Sequence, residues 1–310
     1  MAATPERRAG DLSELVDSWT IHLRAERKTD GTIKTYLDGV RPYLTWCAAG
    51  DVDPLERASL NTWTAGLLEG GLSAATAKTR MMAVRHFTRW LHEDGEIDEN
   101  PFVGMRPPKV DEPVVPVLSD DQLRAMIKAC EPPADARTGL ASLRHRRDEA
   151  LVRFLFETGV RAGECIGMVL DDLVLAEEYA VVRRGKGGKG RRVAFGPHAA
   201  RAIDRYLRVR RLHRLADTPT LWLGDRGRGL SYDGLYWALG KRAELAGIDE
   251  FHPHMLRHTS TDRWLAAGGS ESGAIAMHGW SSPDMLQRYG KANRERRAME
   301  EAKRLNLGEL

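Results

Sequence analysis

The segment Thr158–Glu164 (TGVRAGE) contains an arginine in a position suited to an anion. Arg161 follows a glycine turn at the start of a predicted helix, where its guanidinium and the free backbone N–H groups can both address a negative charge. Glu164 comes three residues later and could orient Arg161. An ordinary surface Arg–Glu pair on a helix has the same spacing, so the segment alone leaves both interpretations open.

The segment His252–His258 (HPHMLRH) is a second candidate for phosphate binding. A helix that begins after the proline puts His254 and Arg257 on one face near its N-terminus, where they could grip one phosphate. His254 and His258 also have the i, i+4 spacing of a zinc pair. The zinc-protease pattern needs a glutamate directly after the first histidine, however, and Met255 stands there. Phosphate binding is therefore the better hypothesis.

The glycine-rich turn Gly185–Gly190 (GKGGKG) looks at first like a nucleotide-binding loop. It lacks the order of residues of a P-loop and leads into a predicted strand instead of a helix. Lys186 at its tip could reach a DNA phosphate or a leaving oxygen, although a solvated basic loop has the same composition.

The last candidate is a tyrosine in the segment His278–Tyr289 (HGWSSPDMLQRY). Tyr289 lies near the end of a short helix that a serine–proline pair starts. Taken alone, it could be a structural tyrosine that packs against Trp280 and Met285.

Helical periodicity and turn residues divide the chain into segments that could position these residues. We predict a disordered tail at 1–10, a helical domain at 11–105, a proline-rich linker at 106–118 and a second domain at 119–310. The first domain should contain helices at about 12–27, 32–49, 59–69 and 73–93, the last with Ser73 as its N-cap.

The second domain is predicted to be mostly helical with a small antiparallel sheet. A helix should begin after Ser119. Strands at 179–182 and 192–195 should form a hairpin around the basic turn. The remaining predicted helices lie at 143–157, 197–215, 231–246, 254–267, 271–278, 283–289 and 292–305.

Composition limits the classes of function. The formal net charge is only +3, so the distribution of charge says more about partners than its sum does. Basic residues cluster around the hairpin turn, which makes five of them candidates for DNA phosphate contacts: Arg183, Arg184, Lys189, Arg191 and Arg192. Three widely spaced cysteines favour a reducing, cytoplasmic setting, and no apolar run is long enough for a membrane helix.

In order and spacing, these four segments resemble the active site of the tyrosine recombinase (phage integrase) family, Xer-like members included. The matching positions are Arg161, Lys186, His254, Arg257, Trp280 and, nine residues later, Tyr289. The first half also resembles the core-binding domain of the family, particularly GLSAATAKTRMMAVRHFTRWLHEDG. One position departs from the common pattern, since many members have histidine where this chain has Trp280.

The resemblance implies a mainly α protein with a small antiparallel β-sheet: an all-helical core-binding domain and an α+β catalytic domain. It implies site-specific recombination of double-stranded DNA through a covalent 3′-phosphotyrosine at Tyr289, without a cofactor or metal. It also implies a homo-tetramer on paired sites that exchanges a C-terminal helix, a possible directionality factor, and a nucleoid-associated location. Strand relaxation of the type IB topoisomerase kind and a catalytically idle DNA-binding accessory protein stay as alternatives.

Overall fold

The computed structural model divides into two compact units, Met1–Glu112 and Pro113–Leu310. The residues that the structure describes are 9–110, 116–183, 190–225, 227–280, 286, 298–299 and 301–305.

The first unit is built from four helices: α1 (Ala9–Ala25), α2 (Asp30–Gly50), α3 (Arg57–Glu69) and α4 (Ala74–Glu93). The predicted N-cap of α4 is present, because the Ser73 hydroxyl accepts a hydrogen bond from the Thr76 N–H at 3.2 Å. Gly39 lets α2 and α4 approach closely, since a Cβ at that position would lie 2.7 Å from the Cβ of Ala83. An aromatic cluster around Trp19 and Phe87 fills the space between the helices.

Apart from the short helical stretches at 298–299 and 301–305, the described residues of the second unit form seven α-helices. They are α5 (Asp120–Lys128), α6 (Leu143–Thr158), α7 (Ala162–Ile166), α8 (Pro197–Arg210), α9 (Tyr232–Leu245), α10 (His254–Ala266) and α11 (Glu271–His278). Ser119 caps α5 in a full capping box with Gln122, as expected at a strong helix start. Most of the predicted helix at 283–289 and much of that at 292–305 lie outside the described residues, while 298–299 and 301–305 are helical.

A three-stranded antiparallel sheet lies between α7 and α8 in the chain: β1 (Leu173–Val174), β2 (Tyr179–Val182) and β3 (Arg191–Ala194). The hairpin of β2 and β3 was predicted, but β3 begins one residue earlier than expected and pairs Val182 with Arg191. Strand β1 was not predicted, because two residues are too few to show a strand pattern.

Helix α6 lies at the centre of the second core. Leu151 and Phe154 are fully buried, and the Phe154 ring meets those of Phe195 and Trp222. Asp148 on the same helix bridges two buried arginines, Arg147 and Arg242. Because α7 follows directly after α6, this rigid core fixes the point from which Arg161 projects.

None of the helices in the described part of the chain is both long enough and apolar enough to cross a membrane.

Candidate active site

Arg161 lies at the junction between α6 and α7. Helix α6 ends at Thr158 and is capped by Gly159, which has a φ of +61°, and Arg161 is the residue before α7. The carboxylate of Glu164 accepts two hydrogen bonds from Arg161, one from its backbone N–H at 2.9 Å and one from Nη1 at 3.0 Å. Glu164 therefore restrains both the backbone and the guanidinium of Arg161.

Arg257 projects from the first turn of α10 into the core and is 2% exposed. Its guanidinium donates to the Gly159 carbonyl and, at 2.7 Å, to the His278 carbonyl. It also lies 5.4 Å from the centre of the Trp280 ring. Arg257 thus joins the end of α6 to the turn that follows α11.

His254 is the first residue of α10, and its ring lies nearly perpendicular to that of His258, with the ring centroids 4.4 Å apart. Partial burial, followed by the charges of Arg257, His252 and Arg161, lowers the pKa of His254 to about 4. Its imidazole is therefore neutral near pH 7 and can accept a proton.

His278 and Trp280 flank the turn after α11 and stack with ring centroids 4.9 Å apart. His278 is buried, with Nδ1 2.9 Å from the Ala274 carbonyl and Nε2 3.3 Å from the Ser260 hydroxyl. A Cβ at Gly159 would lie 2.4 Å from its ring, so His278 packs tightly against the end of α6. His278 is therefore a core residue, and Trp280 lies beside the Arg257 guanidinium.

One pocket of about 510 Å³ brings three of the six predicted active-site residues together. Arg161, His254 and Arg257 all line it, together with Glu164. Two cationic guanidiniums and a neutral imidazole around one opening suit a group with several anionic oxygens, such as a phosphodiester.

Tyr232 and Tyr236 also line this pocket, and the sequence analysis did not single them out. Their rings lie 5.3 Å apart, and the residues are 50% and 38% exposed. The only signal in the sequence was their i, i+4 spacing on α9, which a buried aromatic pair would share.

Lys186 and Tyr289 lie outside the described residues, as do the DNA-contact candidates Arg184 and Lys189.

The other three basic candidates have different environments. Arg183 is 60% exposed and pairs with Asp172, and Arg192 is exposed with its guanidinium 5.2 Å from the centre of the Tyr179 ring. Arg191 instead points inward, where its side chain is 11% exposed and pairs with Glu164. All three of its guanidinium nitrogens bond within the protein and, unlike Arg257, it does not line the pocket, which favours a structural role over the phosphate contact predicted for it.

In the part of the chain that the structure describes, no group of three or more His, Cys, Asp or Glu side chains is arranged to hold a metal ion.

Family models match both units of the chain. The phage integrase family matches residues 116–296, and the N-terminal SAM-like domain of phage integrases matches residues 16–95. The chain belongs to the phage integrase family. The predicted resemblance to tyrosine recombinases is confirmed, and so is the class of activity, cleavage and rejoining of DNA in site-specific recombination.

Curated relatives of the family align with this chain over most of its length. The tyrosine recombinase XerD of Corynebacterium glutamicum is 30% identical over 287 residues, which cover 89% of this chain and 92% of that protein. The tyrosine recombinase XerC of Oceanobacillus iheyensis is 29% identical over 287 residues, covering 90% and 91%. These relatives do not favour the topoisomerase or the idle accessory alternative.

Solved structures of the family share the fold. The Tn1549 transposon integrase in complex with a circular intermediate DNA has a TM-score of 0.70 at 16% identity and covers 94% of this chain and 99% of that one. The XerH recombinase bound to a palindromic difH substrate has a TM-score of 0.69 at 17% identity, covering 95% and 84%. The predicted fold class, mainly α with a small antiparallel sheet, is confirmed.

Proposed function

We propose that this recombinase cuts DNA with Tyr289 in a site completed by five further side chains: Arg161, Lys186, His254, Arg257 and Trp280. The observation that carries the proposal is the pocket lined in common by Arg161, His254 and Arg257. These residues come from the α6–α7 junction and from α10, far apart in sequence, yet they surround one opening.

The arginines supply the electrostatic part of the reaction. A phosphodiester resists attack because of its negative charge and its poor alkoxide leaving group. Arg161 and Arg257 would bind the non-bridging oxygens and stabilise the additional charge of the pentacoordinate transition state. Guanidiniums keep their protons at all working pH values, so this stabilisation does not titrate.

Proton transfers would involve His254, Lys186 and Tyr289. The Tyr289 hydroxyl gives its proton to His254 while its oxygen bonds to phosphorus, and the 5′-oxygen leaves with a proton from Lys186. The product is a 3′-phosphotyrosine and a free 5′-hydroxyl. Attack by a 5′-hydroxyl of a second duplex reverses these steps and completes strand exchange.

The low pKa of His254 agrees with this role in the free protein, because the imidazole is neutral near pH 7. A bound phosphate would raise the pKa of His254, since a neighbouring negative charge favours the protonated form. The base would thus gain proton affinity only when the substrate is present. Trp280 can donate its indole N–H and pack against Tyr289, but it cannot exchange protons as histidine can.

The substrate is proposed to be double-stranded DNA, with exposed cations around the hairpin binding the phosphate backbone. Arg183 and Arg192 are candidates within the described structure, and Arg184 and Lys189 stay candidates from the sequence. We further propose a tetramer on paired DNA sites, assembled through the C-terminal helix, with a directionality factor as a possible partner. A cytoplasmic, nucleoid-associated integrase of a mobile element fits these proposals.

Covalent trapping tests the central proposal. Wild type and Tyr289→Phe are incubated without added metal with radiolabelled fragments of the native DNA locus, and SDS-resistant protein–DNA adducts are counted. We expect an adduct with the wild type alone. Equal adducts from both proteins would mean that another residue is the nucleophile, and no adduct on DNA that the wild type binds would support an idle DNA-binding protein.

A further inference from the structure

We infer that Arg191 is a positioning residue for Arg161, although its place in a basic run predicts a DNA phosphate contact. The inference rests on the proposed role of Arg161 in phosphate binding and adds a residue to that site.

All three nitrogens of the Arg191 guanidinium are used within the protein. Nη1 and Nη2 donate to the two carboxylate oxygens of Glu164 at 3.0 and 2.7 Å, and Nε donates to the Met277 carbonyl at 2.9 Å. The side chains of Arg191 and Glu164 are 11% and 6% exposed. A bidentate ion pair that is this strongly buried fixes the orientation of both side chains.

Glu164 is shared between two arginines. Its Oε1 accepts from both Arg161 and Arg191, and its Oε2 accepts from Arg191 and from the Arg161 backbone. Burial raises the pKa of Glu164, but the hydrogen bonds from Arg191 and Arg161 outweigh burial and lower it overall. Glu164 is therefore a carboxylate whose charge two guanidiniums balance.

Because Glu164 also binds Arg191, it holds the Arg161 guanidinium less strongly. With Arg191 present, Glu164 takes only one side-chain hydrogen bond from Arg161, whose side chain is 28% exposed beside the pocket. Without Arg191, the buried carboxylate would have Arg161 as its remaining charged hydrogen-bond donor among these contacts. The electrostatic attraction would then draw the Arg161 guanidinium toward Glu164 and away from a bound phosphate.

Arg191 also packs against the turn before Trp280. A Cβ at Gly279 would lie 2.9 Å from Nη1 of Arg191, so a side chain there would displace the guanidinium, and the φ of +61° favours glycine as well. Arg161 reaches the same turn, with Nη2 3.5 Å from the Gly279 carbonyl. Arg191 therefore connects strand β3, the start of α7 and the turn after α11.

The experiment separates DNA affinity from the rate of cleavage. Arg191→Met is compared with wild type, the conservative variant Arg191→Lys and the control Arg124→Met, which removes an exposed arginine of α5 paired with Asp121. For each protein, the Kd for the DNA is measured first, and then the single-turnover rate of adduct formation at saturating DNA.

We expect Arg191→Met to bind DNA as the control does and to form the adduct about 10- to 100-fold more slowly, because a misplaced phosphate-binding group costs roughly that much. Arg191→Lys should recover part of the rate, since lysine keeps the positive charge but cannot form the bidentate hydrogen bonds. Weaker binding with a wild-type rate at saturation would make Arg191 a phosphate contact and overturn the inference.

A double variant covers the case in which Arg191→Met does not fold. Arg191→Met with Glu164→Gln removes both buried charges, and with them the carboxylate that would draw Arg161 away, so we expect it to fold and to cleave within about tenfold of the wild-type rate. A loss of about 100-fold or more in the double variant would mean that Arg191 does not act through Glu164, which overturns the inference.

An NMR measurement that does not depend on adduct formation tests the role of Arg191 independently of the proposed function. The side-chain Nε–H signal of Arg161, assigned in a ¹⁵N spectrum with Arg161→Lys, should shift in Arg191→Met and stay in place in Arg124→Met. An unchanged signal overturns the inference even if Tyr289 proves not to be the nucleophile. Absence of adducts from the wild type would count against the proposed function alone.

Discussion

At the scale of single residues, His278 shows how Arg257, which we propose to bind phosphate, is held in place. The His278 ring packs against Gly159 and Ser260, while its backbone carbonyl accepts a hydrogen bond from Arg257. Burial is the main reason why the pKa of His278 falls to about 4, and the nearby arginines lower it further. The neutral ring can donate from Nδ1 to the Ala274 carbonyl, whereas a protonated ring would place a charge in the core.

The burial of His278 predicts that acid destabilises the second unit. Between pH 6.5 and 4 the unfolded chain binds a proton at His278 that the folded protein does not, so stability falls as the pH is lowered. At pH 5 this proton uptake lowers the free energy of unfolding by about 2 kcal/mol for His278 alone. His254 and His258, whose pKa values are lowered to about 4 and about 3, act in the same direction.

Urea unfolding at pH 7.5 and pH 5 measures this effect. The loss of stability between the two pH values should be smaller in His278→Gln than in the wild type by about 2 kcal/mol. His22→Gln, at an exposed histidine of α1, is the matched control and should lose as much as the wild type. An equal pH dependence in all three proteins would contradict the buried neutral state of His278.

At the scale of elements, the hairpin explains which parts of the site could be predicted from the sequence. The long helices followed from their apolar periodicity and from the caps at Ser73 and Ser119. Strand β3 was predicted one residue late, so Arg191 lay outside the predicted strand. Its inward direction could therefore not be inferred from the alternation of side chains along the strand. In a run such as RRGKGGKGRR, composition does not show that Arg191 faces the core while Arg192 faces solvent.

The resemblance to the family predicted Arg161, His254 and Arg257 as active-site residues, and the structure brings all three to one pocket. It did not identify Tyr232 and Tyr236, because an exposed aromatic residue has no charge or motif that marks it. The role of Glu164 as a carboxylate shared by two arginines required three-dimensional contacts between α7 and β3.

The exposed face of β3 leads to a prediction about salt. Arg192→Met should weaken DNA binding and make the slope of log K against log salt less steep by about 0.9, as expected for the loss of one phosphate contact. Affinity is measured at three or more salt concentrations, with Arg124→Met as the control for removal of an exposed arginine. A slope identical to that of the wild type would remove Arg192 from the DNA interface.

At the scale of the whole molecule, each unit has its own buried core, and the C-terminal segment has exposed apolar side chains. Met299 and Leu305 are 63% and 56% exposed in the single chain, within the helical stretches 298–299 and 301–305. Exposed apolar side chains on a charged helix suit burial against another copy of the chain. They support the proposal that this segment joins protomers on paired DNA sites.

Deletion of Asn293–Leu310 should therefore leave covalent adduct formation on a single site in place but abolish tetramers and strand exchange between two sites. Sedimentation of the protein–DNA complexes measures assembly, and Leu305→Asp is the point variant that should reproduce the deletion, because it places a charge in the proposed contact. Lys303→Asp changes an exposed charge on the same stretch and serves as the control. Tetramers and recombination at the wild-type level after deletion would exclude the segment as the connection, whereas loss of the adduct itself would mean that it acts within its own active site.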